Sequence, residues 1–234
     1  LALVRQAEEF GISFDNLRID YSKAHDRSRD VVSKLTKGVA HLLSKNKVES
    51  IKGVAKIENA NRITVLPDNR ILEAANIIIA TGARPKTIPN LPIDREIVIT
   101  SREALALREL PSNMLIVGGG ATGVEFAYLC NSYGTKVSLV EVLPHLLPNE
   151  DPEISQHLER TLENQGVEIL TGSKVVSMIT NKNSAQVQIE RSGNTLEFSY
   201  EKVLVAIGVQ ANIEELELQN AGINTTSGFI DINT

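Results

Sequence analysis

Cysteine and tryptophan are almost missing from this chain: one cysteine, Cys130, and no tryptophan in 234 residues. A single cysteine cannot close an internal disulfide, which excludes a disulfide-stapled scaffold. Methionine is scarce too. Met114 and Met178 are the only two, and the chain opens on Leu1, so a piece of a longer or processed protein is expected. No apolar run approaches the roughly 20 residues of a membrane span, and no signal peptide is visible. Excess positive charge is lacking: the net charge is −5, which gives no reason to expect nucleic acid or an anionic membrane as a partner. There is no internal repeat and no low-complexity segment, and no metal site is expected. A cytoplasmic or mitochondrial-matrix compartment fits best.

What remains is ordinary for a globular protein, with 42% hydrophobic and 23% charged residues. The length allows one or two domains and a sizeable core. The most informative stretch is Met114–Glu141. A short apolar run, Met114–Val117, leads into Gly118-Gly119-Gly120-Ala121-Thr122-Gly123, which fits G-x-G-x-x-G. A helical stretch, Val124–Tyr133, stops at Gly134, and a β-rich run, Lys136–Val140, ends on the acid Glu141. Strand, glycine turn, helix, strand and acid together make a dinucleotide-binding unit, where the glycine motif alone would be weak evidence. Gly118 permits the tight turn, Gly120 lets the backbone approach a pyrophosphate, and Gly123 lets helix and strand pack closely. The helix N-terminus then faces the phosphates. Glu141 is placed to accept hydrogen bonds from an adenosine ribose. No Arg or Lys occurs between Glu141 and Asn149, so the pattern predicts NAD(H) rather than NADP(H). The bland alternative is a glycine turn that only packs helix on strand.

The rest of the chain frames this unit. Residues 1–10 read as helical and stop at Gly11. Asp20–Asn46 reads as one long helix with Val31, Leu35, Val39 and Leu42 on one face. Short β-like runs follow at Val48–Ile57, Arg62–Leu66 and Arg70–Glu73. Ile77-Ile78-Ile79-Ala80 suits a strand buried on both faces and ending at Thr81-Gly82, whose bland reading is a strand-to-loop turn. Pro85, Pro89 and Pro92 mark a linker. Thr100–Glu103 offers a capping box for a helix to about Glu109. Beyond the central unit, Asp151–Gln165 reads as an amphipathic helix and Val167–Leu170 as a strand. Lys174–Thr180, Ala185–Arg191 and Thr195–Ser199 form an antiparallel excursion, and Lys202–Ile207 is the last parallel strand. The tail, Asn212–Thr234, reads as loop with short elements.

The stretches Ile78–Pro85, Gly118–Glu125, Leu139–Glu141, Leu147-Pro148 with Asp151, and Val203–Gly208 resemble, in order and spacing, the two-dinucleotide-binding flavoprotein disulfide reductases. Within that family the resemblance is strongest to the dihydrolipoamide dehydrogenase branch, the shared third component of the 2-oxoacid dehydrogenase complexes. Glutathione and mercuric reductases and NADH oxidases are the competing branches. The resemblance implies an α/β, Rossmann-like fold with one domain for FAD and one for NAD(H). It implies hydride exchange between NADH and flavin, a redox cysteine pair, and a homodimer. It places Gly118, Gly119, Gly120, Ala121, Thr122 and Gly123 under the NAD pyrophosphate, and Glu141 with Val142 at the adenine ribose. Val175 would flank the adenine, and Gly208 would sit near the nicotinamide. Glu125 would face nicotinamide and flavin; its alternative is a carboxylate in the helix's first turn, favoured only by the dipole. Gly53-Val54-Ala55 and Ala80-Thr81-Gly82 would approach FAD.

Departures from the family pattern matter equally. There is no second G-x-G-x-x-G for FAD and no pair of cysteines four residues apart; Cys130 reads as a small buried hydrophobe. His145 and His157 lack the context of the family's acid–base dyad. The family's Arg-x-Pro after the last strand is Val209-Gln210-Ala211 here, and Ala121 stands where relatives are often bulky. The expected organisation is a partial FAD domain at 1–88, a complete NAD(H) domain at 89–211 and a return segment at 212–234. Two functional expectations follow: an FAD/NAD-dependent enzyme in the parent protein, or an NAD(H)-binding module without turnover, which would not retain FAD.

Overall fold

The computed structural model describes residues 1–89 and 91–233. Residues 1–31 and 85–208 form one compact unit, and residues 32–84 and 209–234 form another.

The first unit is built on a five-stranded parallel sheet. Its strands lie in the order Val98–Ile99, Lys202–Val205, Asn113–Val117, Lys136–Val140, Glu168–Leu170. The continuous apolar runs fit strands covered on both faces. Met114, Leu115 and Ile116 are fully buried. Because side chains alternate, Met114 and Ile116 join the core with Phe126, Ala127 and Leu162 of the helices, while Leu115 and Val117 join Val175, Val187 and Ile189 opposite. That second layer is the antiparallel excursion, Ser173–Thr180, Ala185–Arg191 and Asn194–Tyr200, paired as expected.

Caps set the helices of this unit. The Asp151 carboxylate accepts from Glu153 N at 2.8 Å and Pro152 opens the helix Pro152–Asn164. The Thr100/Glu103 capping box forms as read, but its helix, Ser101–Ala104, ends well short of Glu109. The chain leaves the helical path there, and Leu107 and Leu110 pack on the helix-side core. The central helix is Ala121–Ser132. Near its end Cys130 is 1% exposed, and burial pushes its thiol pKa up to about 11. Little thiolate therefore exists at pH 8. Alkylation of the native chain at that pH is expected to run at least about 100-fold slower than in denaturant. Equal rates measured by mass spectrometry would contradict this placement.

The second unit carries a three-stranded antiparallel sheet of Val54–Asn59, Arg62–Leu66 and Arg70–Glu73. Residues 48–53 do not extend its first strand. Ala83–Pro85 pairs with Val209–Ala211, a ladder the sequence did not announce. Ile77–Ala80 requires a correction: it is not a buried strand, and Ile78 is 90% exposed. A doubly covered strand exists only by pairing with neighbours, and no described residue pairs with 77–80. The long helix forms at Tyr21–Lys45, yet none of its residues is buried. Its apolar stripe is present but uncovered, with Leu35 66% and Val39 57% exposed.

Candidate functional site

In the first unit the central strand Asn113–Val117 has two strands that follow it in sequence on its opposite sides. Lys136–Val140 flanks it on one side and Lys202–Val205 on the other. The crevice outside the carboxyl ends of such strands, where the winding direction switches, is where open α/β sheets take ligands. The glycine turn lies there. Gly118 has φ of +112°, and its N–H donates to Val140 O at 2.8 Å. A Cβ at Gly118 would run into the carbonyl of Ala206, and one at Gly123 would overlap the carbonyl oxygen of Gly118. Both positions need glycine for packing. Gly120 is different. A Cβ there meets nothing within 4 Å, its φ of −73° suits any residue, and it caps the central helix without a side-chain hydrogen bond. The first N–H groups of that helix, from Ala121 and Thr122, have no partner within the helix, and both residues are exposed. This is the chemistry of an anion-binding helix terminus, and the space is free where a diphosphate would lie.

Glu141 follows the neighbouring strand and is 8% exposed. Its two oxygens accept from Gly119 N at 2.6 Å and Leu143 N at 2.9 Å. The acid thus struts the middle glycine of the turn. Each oxygen keeps a lone pair for a ribose hydroxyl. Gly119 is gripped a second time, its carbonyl accepting from Leu147 N at 2.9 Å. Leu146 fills the space beside it, fully buried, with Cδ2 2.6 Å from where a Gly119 Cβ would stand. Leu146 N in turn donates to Glu159 Oε1 at 2.7 Å. Sequence reading missed this strap of residues 142–147; Leu147-Pro148 was its only visible signal.

The remaining candidates are placed as follows. Val142 is 61% exposed beside Glu141; the last parallel strand ends at Val205, short of the expected Ile207, and Gly208 lies in the connection that follows, with φ of +106°. Val175 is only 6% exposed and packs in the core between sheet and excursion. Glu125 is the fifth residue of the central helix and exposed. It lies beyond the first turn, where the helix dipole is felt most, so the dipole alternative loses its basis.

In the second unit Gly53, Val54, Ala55 and Thr81, with Asn212 and Leu216, line a cavity of about 680 Å³. Gly53 is glycine for packing, because a Cβ would meet Leu66 O at 2.5 Å and the Val65 side chain. The turn Thr81-Gly82 is held from the return segment. Asn212 N donates to Gly82 O at 3.0 Å and Asn212 Nδ2 to Thr81 O at 3.1 Å. Arg84 donates to Asn212 Oδ1 at 3.0 Å and pairs with Glu214, which draws the Glu214 carboxyl down to about 2. No pattern in the sequence pointed to this network. Ala80 and Gly82 are exposed next to it. The cavity can take a flat group against backbone, which fits part of a flavin cofactor. Among the described residues no cluster of His, Cys, Asp and Glu could hold a metal ion, and no helix is long and apolar enough to cross a membrane.

Residues 4–234 match the model of a family described as pyridine nucleotide-disulphide oxidoreductase. The chain is 38% identical to a dihydrolipoyl dehydrogenase of Bacillus subtilis over 242 residues, covering 98% of this chain and 51% of that protein. It is 42% identical to the dihydrolipoyl dehydrogenase of Chlorobaculum tepidum, covering 97% of this chain and 50% of the relative. Among solved structures it is similar to the HOCl-induced flavoprotein disulfide reductase RclA from Escherichia coli. The TM-score is 0.78 at 30% identity, over 97% of this chain and 49% of that one. The chain thus spans about half the length of the relatives it matches.

Proposed function

The chain belongs to the pyridine nucleotide-disulphide oxidoreductase family, and from that premise we propose that it carries the NAD(H) site of a dihydrolipoamide dehydrogenase-type flavoenzyme. The observation that carries this reading is the pairing of an uncapped helix N-terminus at Gly120 with the buried carboxylate Glu141 across the same glycine turn. The helix N–H groups hold the diphosphate, and Gly120 leaves room for it. Glu141 accepts from the ribose hydroxyls through its free lone pairs while fixing the turn. Val142, exposed beside Glu141, borders the adenosine end, whereas the Val175 side chain is taken up by the core. Gly208 and Glu125 border the nicotinamide end, where Ala121 leaves the pocket open.

In the parent protein the reaction is NAD⁺ with dihydrolipoamide giving NADH, lipoamide and a proton, so a dithiol loses two electrons and two protons while NAD⁺ gains a hydride. Flavin, when bound, relays the electron pair between the dithiol and the nicotinamide. Gly53–Ala55 and Ala80–Gly82 offer it backbone contacts, with Asn212 bracing the second stretch. The partners of the parent are dihydrolipoamide, a 2-oxoacid dehydrogenase complex and a second copy in a homodimer. A cytoplasmic or mitochondrial-matrix setting suits that chemistry. The family reading also covers other disulfide reductases such as glutathione and mercuric reductase, and NADH oxidases.

The chain by itself is expected to bind NADH and turn nothing over. A dithiol–disulfide cycle needs two thiols and a base near the flavin, and Cys130 is one thiol, buried in a helix. Dihydrolipoamide-dependent NAD reduction with FAD supplied should not exceed a protein-free control, and NADH fluorescence should still respond. Steady turnover abolished by Gly120→Val would overturn the expectation.

A further inference from the structure

The strap that follows Glu141 ends on a strained residue. Leu147 has φ of +48°, in the left-handed region that a leucine seldom adopts. It also precedes Pro148, whose ring pushes its predecessor towards extended backbone. A conformation of this kind persists only where the surroundings over-determine it. Leu147 N donates to Gly119 O at 2.9 Å, and Leu147 O accepts from Glu150 N at 2.9 Å. Both are backbone contacts. The hold that depends on a side chain lies one residue earlier, where Glu159 Oε1 accepts from Leu146 N at 2.7 Å. Glu159 is half-buried on the helix Pro152–Asn164. It stands four residues after the fully buried Ser155 and three before the core residue Leu162, so the three share the inward face. Ser155 Oγ adds a long contact to Leu147 O at 3.4 Å. Glu159 forms no ion pair among the described residues.

What this hold controls is the peptide between Gly119 and Gly120. The carbonyl and the N–H of a trans peptide point in opposite directions. With Gly119 O tied to Leu147 N, the Gly120 N–H is turned away from the strap. Gly120 is the N-cap of the central helix, so its N–H stays outside the helix ladder. Glu141 fixes the preceding peptide through Gly119 N. Two acids therefore set the two peptides that flank Gly119. Glu141 does so directly, and Glu159 does so through Leu146 and Leu147.

We propose that Glu159 is a positioning residue for the diphosphate: by holding Leu146 N it keeps the strained Leu147 on the Gly119 carbonyl, and so keeps the Gly120 N–H in one direction. The inference rests on the reading of the glycine turn as an NAD(H) site. Without the carboxylate, Leu146 N loses its acceptor and Leu147 relaxes towards extended backbone. Gly119 O is then released, and the Gly120 N–H is no longer fixed for an incoming phosphate oxygen. A glutamine at 159 keeps an acceptor oxygen for Leu146 N and removes only the charge.

The test uses the full 234-residue chain, titrated with NADH, ADP and adenosine by fluorescence, calorimetry and amide NMR. Glu159→Ala is expected to weaken NADH and ADP about fivefold each and to leave adenosine, which has no diphosphate, unchanged. In the nucleotide-free variant the Leu147 amide should exchange faster with solvent, and the Gly120 amide resonance should shift. Glu159→Gln should bring both affinities back to within about twofold of the unaltered chain. Where the alanine variant does not fold, Glu159→Asp, one methylene short of Leu146 N, gives the same comparison. Equal affinity of Glu159→Ala and the unaltered chain for ADP would overturn the proposal. So would a loss shared equally by adenosine, which marks a merely structural role, or a glutamine variant as impaired as the alanine one. Failure of the unaltered chain to bind either NADH or ADP would instead overturn the nucleotide reading, and this inference with it.

Discussion

Gly123→Ala is expected to destabilise the nucleotide unit strongly, whereas Gly120→Ala should leave its stability nearly intact and weaken its hold on NADH. The usual sign of a glycine-to-alanine change inside a helix is stabilising, by about 1 kcal/mol. At Gly123 that gain is overwhelmed, because the new methyl would overlap the Gly118 carbonyl oxygen and stand 3.4 Å from Ile116 Cγ2. The oxygen belongs to backbone that is pinned, since Gly118 N donates to Val140 O at 2.8 Å and its φ of +112° leaves the turn no easy alternative. Relief requires the central helix to move off the sheet, opening the core around Ile116, Phe126 and Ala127. A cost above about 3 kcal/mol is expected, a large share of the stability of a domain this size. Gly120→Ala has neither problem, as its Cβ points into open space at an ordinary φ. The methyl stands where the diphosphate would approach the helix N–H groups. NADH affinity should therefore fall on the order of 100-fold with the melting temperature nearly unchanged. Thermal unfolding and NADH fluorescence titration of both variants make the comparison. Equal losses of melting temperature would show that the two glycines do one job, and unimpaired NADH binding by Gly120→Ala would remove the diphosphate from this turn.

That contrast also shows where the amino-acid pattern stops informing. The period and apolarity of Met114–Val117, the glycines and the caps were enough to read strand, turn and helix, because each is decided locally. Within the motif the spacing assigns Gly118 to the turn, Gly120 to the ligand and Gly123 to packing; outside a motif a glycine's duty depends on what stands opposite its Cβ, which no spacing announces. Gly53 illustrates the limit: its neighbour is Leu66 O, brought there by strand pairing. Ile77–Ala80 misled for a related reason. Its composition suits a buried strand, but burial belongs to the neighbours, and in this chain Ile78 stands 90% exposed. The Tyr21–Lys45 helix repeats the lesson, with a correct stripe and nothing covering it. In the candidate site, Arg84, Asn212 and Glu214 meet across a sequence separation of well over 100 residues with no spacing rule to announce them.

Glu141 provides the second large effect, and its burial changes what a substitution there measures. A surface acid would contribute only ribose hydrogen bonds. This one also satisfies the buried Gly119 N and the Leu143 N, so Glu141→Ala should cost stability as well as affinity. Leaving a buried N–H without a partner costs about 1–3 kcal/mol, visible as a lowered melting temperature. Losing the ribose hydrogen bonds to a charged acceptor should remove roughly 1.5–3 kcal/mol, or about 10–100-fold in NADH affinity. NADPH should behave differently. In the unaltered chain its 2′-phosphate would meet the Glu141 carboxylate, and juxtaposed like charges cost several kcal/mol. No Arg or Lys between Glu141 and Asn149 offsets that repulsion. Removing the acid relieves it, so NADPH affinity should rise or hold while NADH affinity falls, and their ratio should approach one. Glu141→Gln separates the two roles. Its amide keeps one acceptor for the turn and loses the charge, so it should retain more stability than the alanine variant while still losing discrimination. Parallel titrations of both cofactors against the three proteins, with melting curves, give the answer. Equal affinity of the unaltered chain for NADH and NADPH would sink the assignment of this site to NAD(H). Discrimination preserved in Glu141→Gln would instead move its origin from charge to the shape of the strap at residues 142–147.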